Sequence, residues 1–317
     1  MNRNISNAIL AILVPLPSLT FYLTFLSNPS LWTWIGSLHP LTLANLLFFL
    51  NINTLFYLIA LLQSLHWLID LYWTIIPVLL AHYYSTHPFL KGSGLLLRSR
   101  VVIGLTWLWS VRLTHSYFRR EGWEWGKRED WRFGEMRKQY GKHWWWISFF
   151  VVYVSQQVFL MGICLPMYAV NSTDKPWNNW DSTATFICLS GIIVAYFADT
   201  QLHEYVSKNK ILKELGVDMK PTLEDGLWRY SRHPNYFGEQ LWWWGLVMFG
   251  WNVGHGWTFV GSFVNSLCLA YVTVLVEQRM LKQEYRAKPY RTYQKTTSVW
   301  IPWFKFSQGE NFTHKKA

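Results

Sequence analysis

The sequence predicts an all-α fold, a polytopic bundle of about seven or eight transmembrane helices. Of the 317 residues, 51% are hydrophobic and only 15% are charged, whereas soluble domains carry about 25% charged residues. The charges are also unevenly placed: Asp70 is the only charged residue between Asn4 and Leu90, and there is none between Gln240 and Val276. The hydrophobic content excludes a disordered chain, and an ordinary soluble enzyme would not need so much apolar surface.

Each predicted element is a stretch of about 20 mostly apolar residues, the length that crosses a bilayer. The first six are Ala8–Leu26, Leu41–Leu62, Leu65–Tyr84, Leu95–Val111, Trp146–Val170 and Thr183–His203. The last stretch, Gln240–Val276, contains the turn-forming sequence Asn252–Gly256, which favours two tightly connected helices and gives eight spans. A single tilted helix with a re-entrant piece would give seven.

Most basic residues lie in three polar segments, 112–142, 204–239 and 277–317, which hold 24 of the 29 lysines and arginines. Because cytoplasmic loops of membrane proteins are enriched in Lys and Arg, we expect these segments and both termini to face the cytosol. The loop Asn171–Asp181, with an N-glycosylation sequon at Asn171, then faces the lumen. The net charge of +11 thus indicates topology, and no nucleic-acid partner is expected.

No repeat, low-complexity segment or linker divides the chain, so residues 1–317 are predicted to form one integral membrane domain that ends in a polar tail, 304–317. The three cysteines, Cys164, Cys188 and Cys268, lie in apolar stretches and are interpreted as buried small hydrophobes. Neither a disulfide framework nor a metal-ligand cluster is predicted.

The strongest candidate site is Gly226–Glu239, with the sequence GLWRYSRHPNYFGE, where a cytosolic segment enters a span. Arg229, Arg232 and His233 lie within five residues of one another. The planar guanidinium group of arginine suits a phosphate or a carboxylate, so the cluster predicts an anion site at the membrane surface. The alternative is a juxtamembrane basic cluster that contacts only anionic lipid headgroups.

Two residues of this segment predict its backbone. Pro234 is expected to end a preceding helix or to set the first turn of the next one. A helix that begins there adds free N–H donors and the positive end of its dipole to the anion site. Gly238 leaves room for another backbone to approach closely.

Two further clusters have a functional and a structural interpretation. Arg112, Ser116 and Arg119 share one face if their helix continues past the span, or the arginines merely snorkel to the interface. Glu277 ends the uncharged stretch and precedes Tyr290–Thr297, which is either part of a site or a solvated amphipathic tail.

Two acidic residues lie in or beside predicted spans, and an ionisable residue there is a functional hypothesis by default. Asp70 shares a helix face with His66, four residues earlier, and is either a buried proton donor or a polar partner in helix packing. Asp199 lies near the cytosolic end of its span, where we expect contact with a ligand.

In these motifs the chain resembles the steroid 5-alpha-reductase C-terminal-domain family, in its plant and bacterial branch. The resemblance extends from about His66 to Trp303, after additional N-terminal spans in residues 1–65. The matching elements are Asp70-x-x-Trp73, Trp109-x-x-Arg112-Leu113, Glu129-Asp130-x-Arg132, Asp199-x-Gln201-Leu202, Gly226–Glu239, Glu277, Tyr290-Arg291-x-Tyr293-Gln294, Thr297-Ser298 and Ile301-Pro302. The long central motif is highly specific, and each short one alone is weak.

The resemblance implies an enzyme of the endoplasmic reticulum membrane that uses NADPH to reduce a carbon–carbon double bond conjugated to a carbonyl in a hydrophobic, lipid or steroid-like substrate. The residues assigned to the cofactor are Arg112, Asp199, Arg229, Arg232, His233, Asn235, Tyr236, Gly238, Glu239 and Tyr293. Asp70 and Tyr236 are the candidate catalytic residues. The sequence has no Gly-x-Gly-x-x-Gly fingerprint, so a soluble Rossmann domain is not the carrier.

One position departs from the family pattern. In the steroid reductases a tyrosine shortly before the position of Arg112 acts with an acid from an early span on the charge that develops at the carbonyl oxygen. Here Trp109 stands in place of that tyrosine, and Asp70 is the only charged candidate for the acid. Substrates that resemble testosterone are therefore not expected.

Two other functions compete with the reductase. A membrane methyltransferase of the isoprenylcysteine type, which uses S-adenosylmethionine, would share an Arg-His-Pro-x-Tyr-x-Gly stretch and a late glutamate before a tyrosine-containing tail. The Asn235–Glu239 version of that stretch, with the Trp109–Arg112 and Asp199–Gln201 elements, fits the reductases better. The second alternative is a non-catalytic membrane protein that binds sterol or lipid.

Overall fold

The computed structural model describes residues 2–27, 38–90 and 97–305, and these residues form helices and connecting loops with no strand. The α-helices are α1 (Arg3–Leu13), α2 (Leu16–Ser27), α3 (Pro40–Phe48), α4 (Tyr57–Gln63), α5 (Trp67–Thr86), α6 (Leu97–Glu121), α7 (Trp131–Tyr140), α8 (Trp144–Ser148), α9 (Ser155–Ile163), α10 (Leu165–Asn171), α11 (Asn179–Glu214), α12 (Pro234–Asn252), α13 (Phe259–Leu281) and α14 (Glu284–Thr296). The all-α prediction is confirmed for this part of the chain. The predicted start of the fourth span at Leu95 and nearly all of the polar tail lie outside the described residues.

Within residues 2–27, 38–90 and 97–305, five helical stretches are long and apolar enough to cross a membrane, so the chain is an integral membrane protein. They are Arg3–Thr24, Pro40–Gln63, Trp131–Asn171, Asn179–Glu214 and Gly256–Leu281. The helices α5, α6 and α12 are not among them, because Trp, Tyr or Arg residues lower their mean hydropathy. The count of seven or eight spans therefore stays a prediction.

Proline and turn residues break the helices where the sequence indicates. The chain turns between α1 and α2 at Val14 and Pro15, since a proline lacks the N–H that a continuous helix needs. The predicted break after Asn252 is confirmed, because α12 ends there and a short 3-10 turn begins at Gly256. Two π-helical segments, Phe49–Phe56 and Phe149–Val154, had no signal in the sequence.

The chain divides into two compact units, which are described separately. The first unit comprises Met1–Leu189 and Trp243–Asn265, and the second comprises Ser190–Trp242 and Ser266–Ala317. The helices α11, α12 and α13 each contribute residues to both units. The single membrane domain over residues 1–317 stays a prediction.

In the first unit a buried ion pair fixes the start of α6 to the start of α11. Arg98 Nε and Nη2 donate to the two carboxylate oxygens of Asp181 at 2.7 Å each, and both residues are almost fully buried. The sequon residue Asn171 is buried nearby on α10, where it accepts a hydrogen bond from Ser99 Oγ (2.7 Å) and donates one to the Met167 carbonyl (2.8 Å). Glycosylation of Asn171 would require this loop to open first.

In the second unit α11 and α12 pack backbone to backbone. A Cβ atom on Gly238 would lie 2.6 Å from the Ala195 nitrogen and 2.7 Å from the Gly191 oxygen. A Cβ atom on Gly191 would lie 2.6 Å from the oxygen of Gly238. The close approach expected at Gly238 is confirmed, and it brings the Gly226–Glu239 segment against α11.

Candidate functional site

The candidate site begins with a short 3-10 turn, Gly226–Arg229, that α11 holds through Gln201. The Leu227 N–H donates to Gln201 Oε1 at 3.0 Å. Gly226 has φ +59°, and a Cβ atom there would lie 2.3 Å from Gln201 Nε2. The left-handed backbone favours glycine at this position, and the close contact gives the Asp199-x-Gln201 element a structural role that its sequence does not state.

Two aromatic residues anchor the turn from either side. Trp228 is buried, and its Nε1 donates to the Ala198 carbonyl of α11 at 3.1 Å. The Tyr293 hydroxyl, from α14, donates toward the carbonyl oxygens of Trp228 and Ser231. Burial raises the pKa of Tyr293 above its usual range, so the phenol remains a neutral donor. Tyr293, predicted on the cofactor side, thus holds the backbone of the motif.

Arg232 uses most of its donors inside the second unit. Its Nε donates to Glu277 Oε1 at 2.8 Å, and its Nη1 donates to the carbonyls of Gln294 (2.7 Å) and Thr297 (2.9 Å). The side chains of Arg232 and Glu277 are only 10% and 12% exposed. The guanidinium group therefore joins the motif to the C-terminal part of the chain.

Glu277 is the centre of this cluster. Its Oε1 also lies 3.0 Å from His233 Nε2, and its Oε2 accepts a hydrogen bond from Gln294 Nε2 at 2.7 Å. The His233 ring in turn stacks on Tyr236, with centroids 5.2 Å apart and planes 13° from parallel. A single carboxylate on α13 thereby fixes Arg232 and His233 directly and Tyr236 through the stacked imidazole.

The other polar residues of the motif are not held by Glu277. Pro234 begins α12, which confirms that prediction, and Asn235 Nδ2 in its first turn donates to Asp199 Oδ1 at 3.3 Å. Asn235 Oδ1 is buried and has no hydrogen-bond partner among the residues that the structure describes. Arg229 is exposed and pairs with no acid among the described residues. The last motif residue, Glu239, is half-buried.

Asp70 and Arg112 belong to the first unit. Asp70 Oδ2 accepts a hydrogen bond from the Asp130 N–H at 2.9 Å, so it anchors the residue that caps α7. Arg112 is buried on α6, which continues to Glu121 as its one-face spacing requires. Trp109 is fully buried and packs edge to face on Trp243, 5.0 Å away.

Nine of the predicted site residues therefore fall in the second unit, and the structure adds Gln201, Glu277 and Gln294 as the groups that position them. In the part of the chain that the structure describes, no group of three or more His, Cys, Asp or Glu residues could hold a metal ion. None of the three cysteines forms a disulfide within the described residues, and Cys164 and Cys188 are buried.

The fold and site define a class: integral membrane proteins with an Arg-His-Pro helix start clamped by a later glutamate. The chain belongs to the family described as "Protein of unknown function (DUF1295)", which it matches over residues 56–297. It is 27% identical over 266 residues to "Uncharacterized protein C594.04c" of Schizosaccharomyces pombe, a match that covers 74% of this chain and 72% of that protein. No solved structure matches the chain.

Proposed function

We propose that this protein is a membrane-embedded reductase that uses NADPH to reduce a carbon–carbon double bond in a lipid or steroid-like enone. The observation that carries the proposal is the site in the second unit, where Asp199, Asn235 and Tyr236 lie around a rigid helix start and Arg229 remains exposed beside it. The resemblance to the steroid 5-alpha-reductase family supplies the reaction class.

Two groups fit a nicotinamide dinucleotide. The buried Asn235 Oδ1, which has no partner in the described part of the chain, is an acceptor for a carboxamide N–H or a ribose hydroxyl, because a buried polar atom is costly until it is paired. The exposed guanidinium group of Arg229 suits a phosphate. Arg232 is committed to Glu277, so we assign it a positioning role and assign the phosphate contact to Arg229.

The proposed reaction requires one hydrogen-bond donor at the substrate carbonyl oxygen, held in a fixed position. When bound, NADPH would supply a hydride for the β-carbon of the enone. Negative charge then develops on the carbonyl oxygen, and a hydroxyl donor stabilises it. Tyr236 is our candidate for that donor, since its ring is held by His233. The hydrogen bond that Asp70 Oδ2 accepts from the Asp130 N–H favours a structural role for Asp70.

The proposed setting is the endoplasmic reticulum membrane, with seven or eight spans, both termini in the cytosol and a hydrophobic substrate taken from the bilayer. Contacts between helix ends in the first unit support a topology in which successive helices cross the membrane in opposite directions. Asp181 at the start of α11 contacts both Arg98 at the start of α6 and Asn252 at the end of α12 (3.0 Å). The basic segment 112–142 of the same unit includes the opposite end of α6, at Glu121, as the positive-inside rule expects.

A second candidate is a methyltransferase of the isoprenylcysteine type, and one observation favours it. The late glutamate that the resemblance associates with that class is Glu277, which contacts Arg232 and His233 of the Arg-His-Pro stretch. Either cofactor would then use the same helix start.

Binding of the cofactor by purified protein in detergent separates these candidates. NADPH is expected to bind, and Arg229→Ala is expected to weaken it by about 10- to 100-fold, the worth of one charge-assisted contact. Lys288→Ala, which removes an exposed cation from the same unit, is the matched control and should leave the affinity unchanged.

Parallel calorimetric titrations with NADPH and with S-adenosylmethionine distinguish the reductase, the methyltransferase and the non-catalytic protein. Binding of S-adenosylmethionine without NADPH would contradict the reductase and support the methyltransferase. Binding of neither would contradict both enzymes and leave a non-catalytic protein that binds sterol or lipid.

A further inference from the structure

The C-terminal segment Ser298–Phe304, here called the strap, lies along the candidate site in the second unit. The N–H groups of Arg232 and His233 donate to the carbonyls of Ser298 (2.9 Å) and Val299 (3.0 Å). In return the Trp303 N–H donates to the Tyr230 carbonyl at 2.9 Å. Backbone hydrogen bonds therefore tie the strap to the residues that precede α12.

The other side of the strap is apolar and exposed. Ile301 is 66% exposed, Trp303 61% and Phe304 76%. Trp303 and Phe304 line a shallow groove of about 350 Å³ together with Pro302 and Tyr230. Side chains of this size rarely form a contiguous patch that faces water, so the patch calls for an apolar partner.

The position of the strap along a membrane helix identifies that partner. Trp300 Nε1 donates to Thr273 Oγ1 at 3.0 Å. Thr273 lies eight residues before Leu281, the last residue of a helical stretch apolar enough to span a bilayer, which places it about 12 Å inside the end of that helix. Tyr271 and Val274 flank it and are 64% and 52% exposed.

The strap ends at a charge. Lys305 follows Phe304 directly, and its Nζ lies 2.6 Å from Glu224 Oε2. A run of apolar and aromatic residues that meets a Lys–Glu pair has the composition of the membrane–water interface, where tryptophan and aromatic rings concentrate.

We propose that the apolar side of the strap is inserted into the interfacial layer of the bilayer, and that this lipid contact holds the strap against Tyr230–His233. The occupant of the patch is lipid. By holding the strap in place, the bilayer keeps the candidate site in the geometry that can bind a ligand. The inference is independent of the proposed reaction, because it concerns the strap whichever cofactor binds.

Spin labels test the depth of the strap. Phe304→Cys, Tyr271→Cys and Lys288→Cys are made with Cys268 replaced by Ser, labelled, and reconstituted into phosphatidylcholine vesicles. Collisions with oxygen, which partitions into lipid, and with a water-soluble nickel chelate are then compared. The label at 304 should favour oxygen as the label at 271 does, whereas the label at 288 should favour nickel. A label at 304 that favours nickel, or that neither reagent reaches, overturns the proposal.

Hydrogen exchange tests the coupling to the site. Phe304→Asp in the same vesicles should accelerate exchange of the Arg232 and His233 amides, because a carboxylate is expelled from the apolar layer and the strap is released. Leu215→Asp, at a residue 69% exposed in the same unit, is the matched control and should leave these amides protected. Unchanged protection in Phe304→Asp overturns the coupling.

Discussion

Arg232 carries a positive charge in a sequence pattern that predicts an anion site, yet the structure gives it a carboxylate partner. Its distance from Glu277 is 2.8 Å, although 45 residues separate them in the chain. No local periodicity connects two residues so far apart, so the sequence could identify both as candidates and could not pair them. Arg229, three residues earlier and exposed, keeps the character that the sequence predicted for both arginines.

Removal of Arg232 should therefore destabilise the protein. Arg232→Ala leaves Glu277 largely buried and without its cation, which costs about 3–5 kcal/mol. We expect a clear fall in the thermal unfolding temperature in detergent, with no such fall for Arg229→Ala. The double variant Arg232→Met/Glu277→Leu should lose less stability than the sum of its single variants. Equal stability of Arg232→Ala and wild type would show that this ion pair contributes little.

At the scale of elements, the sequence predicts a helix start or a close helix contact where a proline or a glycine controls the backbone. It does not predict irregular helical segments that contain neither residue. Pro234 starts α12 and Gly238 admits α11, both as their chemistry requires. The π-helical segment Phe49–Phe56 contains neither proline nor glycine, so its extra residue per turn leaves no trace in the sequence. The role of Gln201 has no local signal in the sequence, because the hydrogen bond that it accepts from the Leu227 N–H depends on how α11 meets the turn.

The close packing of α11 against α12 predicts that Gly238 cannot be replaced by alanine without loss of stability. Gly238→Ala would place a Cβ atom 2.6 Å from the Ala195 nitrogen, and overpacking of this kind costs about 1–3 kcal/mol. Gly104→Ala on α6 is the matched control, since no described atom beyond its chain neighbours and the adjoining backbone of its own helix lies within 4 Å of its Cβ position. The first change should lower the unfolding temperature and weaken NADPH binding. The second should leave both unchanged or raise stability slightly; equal effects of the two would refute the packing argument.

At the scale of the whole molecule, composition and charge placement predicted an all-α integral membrane protein, since lipid selects for long apolar helices. Neither composition nor charge placement predicts which polar residues of distant helices contact each other. Arg98 and Asp181, for example, lie 83 residues apart and form a buried pair at 2.7 Å.

The central claim is that hydride passes from NADPH to a lipid at the second-unit site. Wild-type protein in vesicles of total membrane lipid, supplied with NADPH deuterated at both C4 positions, should produce a lipid that carries one deuterium on carbon. The same product should be lost in Asn235→Ala and much reduced in Tyr236→Phe, and retained in Lys288→Ala, as read by mass spectrometry. Bound NADPH without any deuterium in lipid, or a labelled lipid formed equally by Asn235→Ala, would contradict the account.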